Sequence, residues 1–233
     1  MFKRLVCLFL LPIVAFSVFF GVFSLPVSSV KNERFLTVAI DAGHGGIDGG
    51  AVGKVTGAYE SDINLCIAKK LKEVFERGGF NVVMTRTTNA GLYGVLSQGF
   101  KRRDMNERVK IVNDSKADIF ISVHLNTYSD SARRGAQAFF KKGDENGKLF
   151  ADCVQQKLND MEECVKKTSA LVGDYFVLNE TYIPAIICEY GFLSNEKDEA
   201  LLLDDEYQKK LALATFSGTL VFLASIKNAQ QIL

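Results

Sequence analysis

The sequence lacks several features that would assign it to a common class of protein. Its 28 basic and 27 acidic residues nearly balance, whereas an electrostatic grip on nucleic acid requires a clearly basic face. Its five cysteines include no Cys-x-x-Cys pair and do not form the even framework of a small, disulfide-rich secreted domain. No internal repeat or low-complexity tract occurs. These absences argue against nucleic-acid binding and against a repeat or disulfide-stapled architecture.

The first 29 residues differ in character from the rest of the chain. Lys3 and Arg4 precede an uncharged run over residues 5–25, a pattern typical of a secretory signal peptide or an uncleaved membrane anchor. The basic start should stay in the cytoplasm, so everything after it is exported. We predict a signal peptide or anchor over residues 1–29, with cleavage and retention as equal alternatives, and a short linker over residues 30–34. The remaining chain then carries 26 basic and 27 acidic residues.

Four cysteines lie outside this leader, and none belongs to a recognisable motif. Buried free thiols are the simplest interpretation of Cys66, Cys153, Cys164 and Cys188. A disulfide is the alternative, because an exported domain enters a compartment where disulfides persist.

Strand-like and helix-like segments alternate along the rest of the chain. Apolar runs predict strands over residues 35–40, 81–86, 118–125, 135–140, 175–178 and 185–190, and helical spacing predicts helices over residues 61–77, 104–115, 148–158, 196–203 and 207–225. About 200 residues are enough for one well-buried domain. Because alternating elements favour a parallel sheet, we predict a single α/β domain over residues 35–228, with a mostly parallel twisted sheet flanked by helices.

The chain has only two histidines, and each comes at the end of a predicted strand. His44 follows the first strand in a glycine-rich turn, and His124 lies near the end of the third. Active sites in parallel sheets lie beyond the carboxyl ends of the strands, so we expect both imidazoles at one edge. With carboxylates nearby, such a pair is a candidate metal site. Either histidine alone would more often be a turn or core residue.

Two carboxylates fit the same edge of the predicted sheet. Glu60 opens the first long helix after a glycine-rich loop that could fold it back over His44, and Glu189 ends the last apolar strand. An unpaired carboxylate is costly to bury there, so Glu189 needs a metal, a cation or a proton-transfer role. The simpler alternatives are a helix-start charge for Glu60 and a cap onto the turn at residues 191–195 for Glu189.

These residues together resemble the zinc-dependent N-acetylmuramoyl-L-alanine amidases, a family that trims and remodels bacterial cell walls. The resemblance covers residues 35–225 and rests on four motifs that occur in order: Gly43-His44-Gly45-Gly46, Glu60, Ser122-Val123-His124-Leu125-Asn126 and Glu189-Tyr190-Gly191-Phe192-Leu193-Ser194-Asn195. It implies zinc (Zn2+) ligands at His44, Glu60 and His124, and a catalytic glutamate at Glu189. The one departure, Ala42 where the family usually has proline, removes no ligand.

Three further strings, over residues 101–110, 182–185 and 207–210, resemble the spore-cortex, germination-specific members of that family. This resemblance implies an enzyme of the cell wall or spore cortex that acts on peptidoglycan. It would remove the stem peptide from muramic acid before the sugar is converted to its δ-lactam. An uncleaved N-terminal segment would tie the enzyme to the membrane, and the sequence leaves open whether an activating partner protein is needed.

Two rival functions use the same residues. A zinc peptidase that cuts within the stem peptide would have the same ligand set, because the metal can promote attack on any amide. A non-catalytic wall-binding module would be favoured by a missing ligand or a missing Glu189, and none is missing.

Three other groups of residues have two interpretations each. Asp41 could orient a ligand imidazole or make a hydrogen bond within the turn, and Asn126 could bind substrate or close the strand-end turn. The basic residues Arg102, Arg103 and Arg108 are more typical of a solvated face, although an arginine fork would suit a carboxylate-rich stem peptide.

Overall fold

The computed structural model describes residues 35–232, with side chains through residue 229. The predicted leader at residues 1–29 and linker at residues 30–34 lie outside the described residues. The described strands are β1 (Thr37–Ala42), β2 (Asn81–Met84), β3 (Ile119–Asn126), β4 (Gln137–Lys141), β5 (Leu171–Gly173) and β6 (Ala185–Phe192). The described helices are α1 (Glu60–Arg77), α2 (Phe100–Asp114), α3 (Glu145–Asn159), α4 (Phe176–Asn179), α5 (Glu196–Leu203) and α6 (Asp205–Ile232).

The strands form one sheet in the order β2-β1-β3-β6-β4-β5. Every neighbouring pair is parallel except β4 and β6, which run antiparallel. The predicted α/β fold with a mostly parallel sheet is therefore confirmed. Because β1, β3 and β6 are adjacent and parallel, their carboxyl ends meet at one edge, and this edge carries the residues of interest.

The sheet is covered on both faces, which explains why its central strands are almost entirely apolar. One face packs against α1, α3 and α6, and the other against residues of α2 and α4. In α1 the spacing of Ile63, Ile67, Leu71 and Phe75 places all four on the buried side. Burying each such side chain contributes about 1.5–3 kcal/mol, so the helix that begins with Glu60 is firmly fixed to the sheet.

Helix α6 is the one helix among the described residues that is long and apolar enough to cross a membrane. It packs against α1 and α3, and Leu211, Ala212 and Phe222 are fully buried. Its polar side chains Thr215 and Thr219 are buried as well and bond back to carbonyls one turn earlier. These contacts are those of a core helix of the domain.

Two expectations about local structure were wrong. The predicted strand over residues 175–178 is the short helix α4, and the nearby strand is β5, which the sequence pattern did not predict. A four-residue apolar run is too short to distinguish the two periodicities. Cys66 lies on the exposed side of α1 rather than in the core, and all four described cysteines are free.

Candidate metal centre and active site

The loop between β1 and α1 brings His44 and Glu60 together. It folds back so that the Glu60 amide donates to the Ala51 carbonyl (2.9 Å) and the Ala51 amide donates to Glu60 Oε2 (2.8 Å). Val52 and Tyr59 pair across the base of the loop as an isolated β-bridge. Glu60 is the first residue of α1, as predicted, and its second oxygen remains directed at the strand ends.

The three predicted ligands converge on one point. Glu60 Oε1 lies 3.0 Å from His124 Nδ1 and 3.3 Å from His44 Nε2. One donor atom from each of the three residues lies within 4.8 Å of the other two. The imidazole rings meet edge to face, with their centroids 5.0 Å apart. These side chains, 80 residues apart in sequence at the extremes, therefore form a group that could hold a metal ion.

Two glycines allow this close approach. A Cβ atom on Gly43 would lie 2.3 Å from the His124 ring, so any larger residue would displace the imidazole. Gly50 has a φ of 69°, and a Cβ there would lie 2.5 Å from Glu60 Oε2 and 2.8 Å from the His44 ring. The glycine-rich turn is thus required by the spacing of the donors as well as by backbone conformation.

The electrostatics of the group are those of a cation site. Burial alone would lower the pKa of His44, but Glu60 and Asp48 outweigh burial and raise it to about 9. Burial opposes ionisation of Glu60, yet the hydrogen bonds and charges of His124 and His44 hold the pKa of this carboxyl well below its ordinary value. The chain therefore keeps a buried carboxylate ionised at the centre, where it favours positive charge.

Asp48 was missed by the sequence analysis. Its Oδ2 lies 3.0 Å from His44 Nδ1, and its Oδ1 lies 3.2 Å from Lys101 Nζ. Such a carboxylate fixes the orientation and the protonated nitrogen of a ligand imidazole. Orientation of an imidazole was one of the two roles predicted for Asp41, whose described hydrogen bonds go instead to Thr85, Arg108 and Ser122.

Glu189 lies beside the donor group on β6. Its register partner on the neighbouring strand is His124, and its side chain is 7% exposed with Oε2 lacking any hydrogen-bond partner among the described residues. Burial, together with the charge of Glu60, raises the pKa of Glu189 to about 7. The alternative role as a turn cap is not observed among the described hydrogen bonds: the amides of Phe192, Leu193 and Asn195 donate to Asp198, to the Asn126 carbonyl and to the Phe192 carbonyl.

A cavity of about 250 Å³ opens beside the donor group. His44 and His124 line one side, and Tyr175 and Phe176 line another. Burial and the nearby charge of Glu189 raise the pKa of Tyr175 to about 12, so its hydroxyl stays protonated at neutral pH. Because His44 and His124 line the cavity, a small part of a substrate can reach the donor group.

Arg108 is not part of a solvated face, contrary to expectation. It is buried and bonds to Asp41 Oδ1 and Asp104 Oδ1, each at 2.6 Å, and it also donates to the carbonyls of Ala42 and His44. The chain thus uses this arginine to hold the turn that presents His44. Arg103 donates to carbonyls of the loop at residues 93–98.

Arg86 supports the same turn from the other side, and no pattern in the sequence indicated this role. It donates to the carbonyls of Ala42 (2.7 Å), Gly43 (3.0 Å) and Ser61 (2.7 Å). Burial, reinforced by the charge of Arg108, lowers its pKa to about 10. Arg86 therefore links the end of β1 to the start of α1, next to the donors His44 and Glu60.

The Asp41–Arg108 pair predicts a defined acid sensitivity. Burial would raise the pKa of Asp41, but Arg108 and the Thr85 and Ser122 hydroxyls outweigh it and lower the pKa from 3.8 to about 2. The stability that this carboxylate contributes is therefore complete above pH 3.8 and lost as the pH falls through 2. The loss should be about 2 kcal/mol in the free energy of unfolding.

Denaturant titration of Asp41→Asn and the unsubstituted chain between pH 7 and pH 2 would test this. The stability difference between the two should be largest at pH 7 and should shrink below about pH 4, since a protonated aspartic acid and asparagine are alike in charge. A difference that stays constant over this range would contradict the assignment.

Comparison with known proteins places the chain among characterised relatives. A family model described as N-acetylmuramoyl-L-alanine amidase matches residues 38–220. The germination-specific N-acetylmuramoyl-L-alanine amidase of Bacillus subtilis (strain 168) is 36% identical over 188 residues, covering 78% of this chain and 78% of that protein.

Two solved amidase structures are also similar to this chain. The CwlD amidase from Clostridioides difficile, solved in complex with the GerS lipoprotein, has a TM-score of 0.78 and 35% identity, covering 82% of this chain and 99% of that one. An N-acetylmuramoyl-L-alanine amidase from Clostridium difficile 630 has a TM-score of 0.73 and 31% identity, covering 82% and 98% of the two chains.

Proposed function

Since the chain belongs to the N-acetylmuramoyl-L-alanine amidase family and is a peptidoglycan amidase, we propose that its catalysis depends on a zinc ion held by His44, Glu60 and His124. The observation that carries this proposal is the convergence of the three donor atoms within 4.8 Å of one another. Two imidazole nitrogens and one carboxylate oxygen form a typical catalytic zinc set, which leaves a fourth position open.

The donor chemistry suits the ion in charge as well as in ligand type. Glu60 remains ionised although it is buried, and Glu60 and Asp48 raise the pKa of His44, so a proton and a metal ion would compete for the same ring nitrogen. Metal binding would therefore replace protons with the ion, and zinc affinity should rise with pH. Asp48 would hold the His44 ring so that Nε2 faces the metal.

A bound zinc ion would polarise the scissile carbonyl and lower the pKa of water at the site toward about 7. Glu189 is suited to the proton transfers that the reaction needs. Its pKa of about 7 lets it accept a proton from the attacking water and return it to the leaving L-alanine nitrogen. Its Oε2 is buried and has no hydrogen-bond partner among the described residues, so it is not committed to another role.

The biological setting is proposed from the relatives. Similarity to a germination-specific amidase favours action in the spore cortex, where peptide removal precedes formation of muramic δ-lactam. The basic and apolar start of the chain favours export, with the N-terminal segment as a signal peptide or membrane anchor. The related CwlD amidase was solved with the GerS lipoprotein. We therefore also propose that a partner protein aids the activity of this chain.

Digestion of purified peptidoglycan by the full chain in mild detergent tests the function. We expect muropeptides to lose their peptides and free L-alanine amino termini to appear in mass spectra. A chelator should stop the reaction, and added zinc should restore it. New amino termini at other stem positions would instead identify a peptidase, and binding without cleavage would identify a wall-binding module.

A further inference from the structure

A second cavity, of about 650 Å³, lies on the β4 and β5 side of Glu189. Strand β6, which carries Glu189, lies between β3, which carries His124, and β4. Gln137 on β4 is the register partner of Glu189 and lines this cavity. Asn126, two residues after His124 on β3, also lines the cavity, so the cavity lies next to the strand ends that carry the proposed site.

The most distinctive residue of this cavity is Arg133. Its guanidinium lies 4.4 Å from the centroid of the Tyr128 ring and 5.8 Å from that of Phe192. It makes no ion pair or side-chain hydrogen bond with any described residue. Stacking on aromatic rings orients a guanidinium while leaving its N–H groups free to donate. Arg133 is thus an oriented donor without an acceptor in the described part of the chain.

The other charges of the cavity leave a positive excess. Arg134 is neutralised by Asp198, with Nε and Oδ1 2.9 Å apart. Lys166 also lines the cavity and has no ion-pair partner among the described residues. The one acidic lining residue, Asp130, uses Oδ1 to accept a hydrogen bond from the Ala132 amide (2.9 Å). Arg133 and Lys166 therefore contribute two positive charges against the single negative charge of Asp130, and this excess favours an anionic ligand.

We propose that this cavity binds the stem peptide and that Arg133, aided by Lys166, selects peptides with free carboxylates. The inference rests on the function proposed above. A carboxylate can accept two parallel hydrogen bonds from one guanidinium, which gives direction as well as strength. The arginine-rich segment at residues 102–108 cannot serve this purpose through Arg108, which is buried against Asp41 and Asp104.

The test compares two synthetic N-acetylmuramoyl peptides of identical sequence, one with free carboxylates and one with those carboxylates converted to amides. For Arg133→Gln in the full chain, we expect KM for the free-carboxylate substrate to rise on the order of tenfold. Its kcat should stay within about twofold, because the interaction is made equally in the ground and transition states. The amidated substrate should be affected less than about twofold.

Lys167→Gln is the matched control. It removes the same charge next to Lys166, but Lys167 does not line the cavity and lies 3.7 Å from Asp160. The control should leave both substrates unaffected. Equal losses of Arg133→Gln on both substrates, or no loss on either, would overturn the inference while the amidase function stands.

A binding measurement separates the inference from the proposed chemistry. Calorimetric titration of the full chain with the free-carboxylate peptide, lacking its muramic acid, should show the same loss of about tenfold in Arg133→Gln. If the unsubstituted chain cleaved neither substrate, the proposed function would fail, and this titration alone would decide the inference. Equal affinity of the two chains would then refute it.

Discussion

Replacing Glu189 by glutamine is expected to abolish hydrolysis almost completely while leaving zinc binding intact. Glutamine has nearly the shape of glutamate but cannot accept a proton from water at neutral pH. General acid–base catalysis typically contributes 10²–10⁴-fold, so kcat on muropeptides should fall by about that factor. Release of free L-alanine amino termini, followed by mass spectrometry, measures the loss, and metal analysis of the same sample should show unchanged zinc.

The unfolding temperature of the same variant serves as a control for its folding. Burial raises the pKa of Glu189 to about 7, so the folded chain disfavours the charged carboxylate. Glutamine removes that cost above pH 7, and Glu189→Gln should therefore unfold at the same temperature as the unsubstituted chain or a higher one. Substantial residual activity in a variant that folds and binds zinc would show that another group takes the proton.

The positions of the site residues could be predicted because they depend on chain direction. His44 follows β1, and His124 and Glu189 lie toward the carboxyl ends of β3 and β6; these three strands are adjacent and parallel, and parallel strands bring their carboxyl ends to the same edge. The helix that begins with Glu60 showed a regular apolar spacing, so its start could be read from the sequence. The convergence of these residues therefore follows from the topology of the sheet.

The supporting residues could not be predicted because their partners are distant or irregularly spaced. Arg108 stands among basic residues that look solvated, and its partner Asp41 lies 67 residues away. Asp48 is four residues from His44, but in a loop this spacing implies no contact, unlike in a helix. Buried ion pairs of this kind appear only when the fold is known, whereas the apolar pattern that builds the fold is local.

Removing the His124 side chain is expected to empty the metal site. His124 Nδ1 lies 3.0 Å from Glu60 Oε1, and without it only two donors remain in the group. Even the loss of a residue that merely supports a ligand typically costs 10–100-fold in metal affinity. Loss of a ligand should therefore weaken zinc binding by more than about 100-fold, and His124→Ala should purify without zinc and without activity.

Asn126→Ala is the matched control for this variant, because it alters the same strand end without removing a donor. The Asn126 side chain accepts a hydrogen bond from the Thr127 amide (2.8 Å) and makes no described contact with the donor group. Its zinc content should remain equimolar. Competition with a chromogenic chelator would measure both affinities. If His124→Ala retained equimolar zinc, the ion would have to be held elsewhere, and the proposed role of Glu60 at its centre would no longer follow from the geometry.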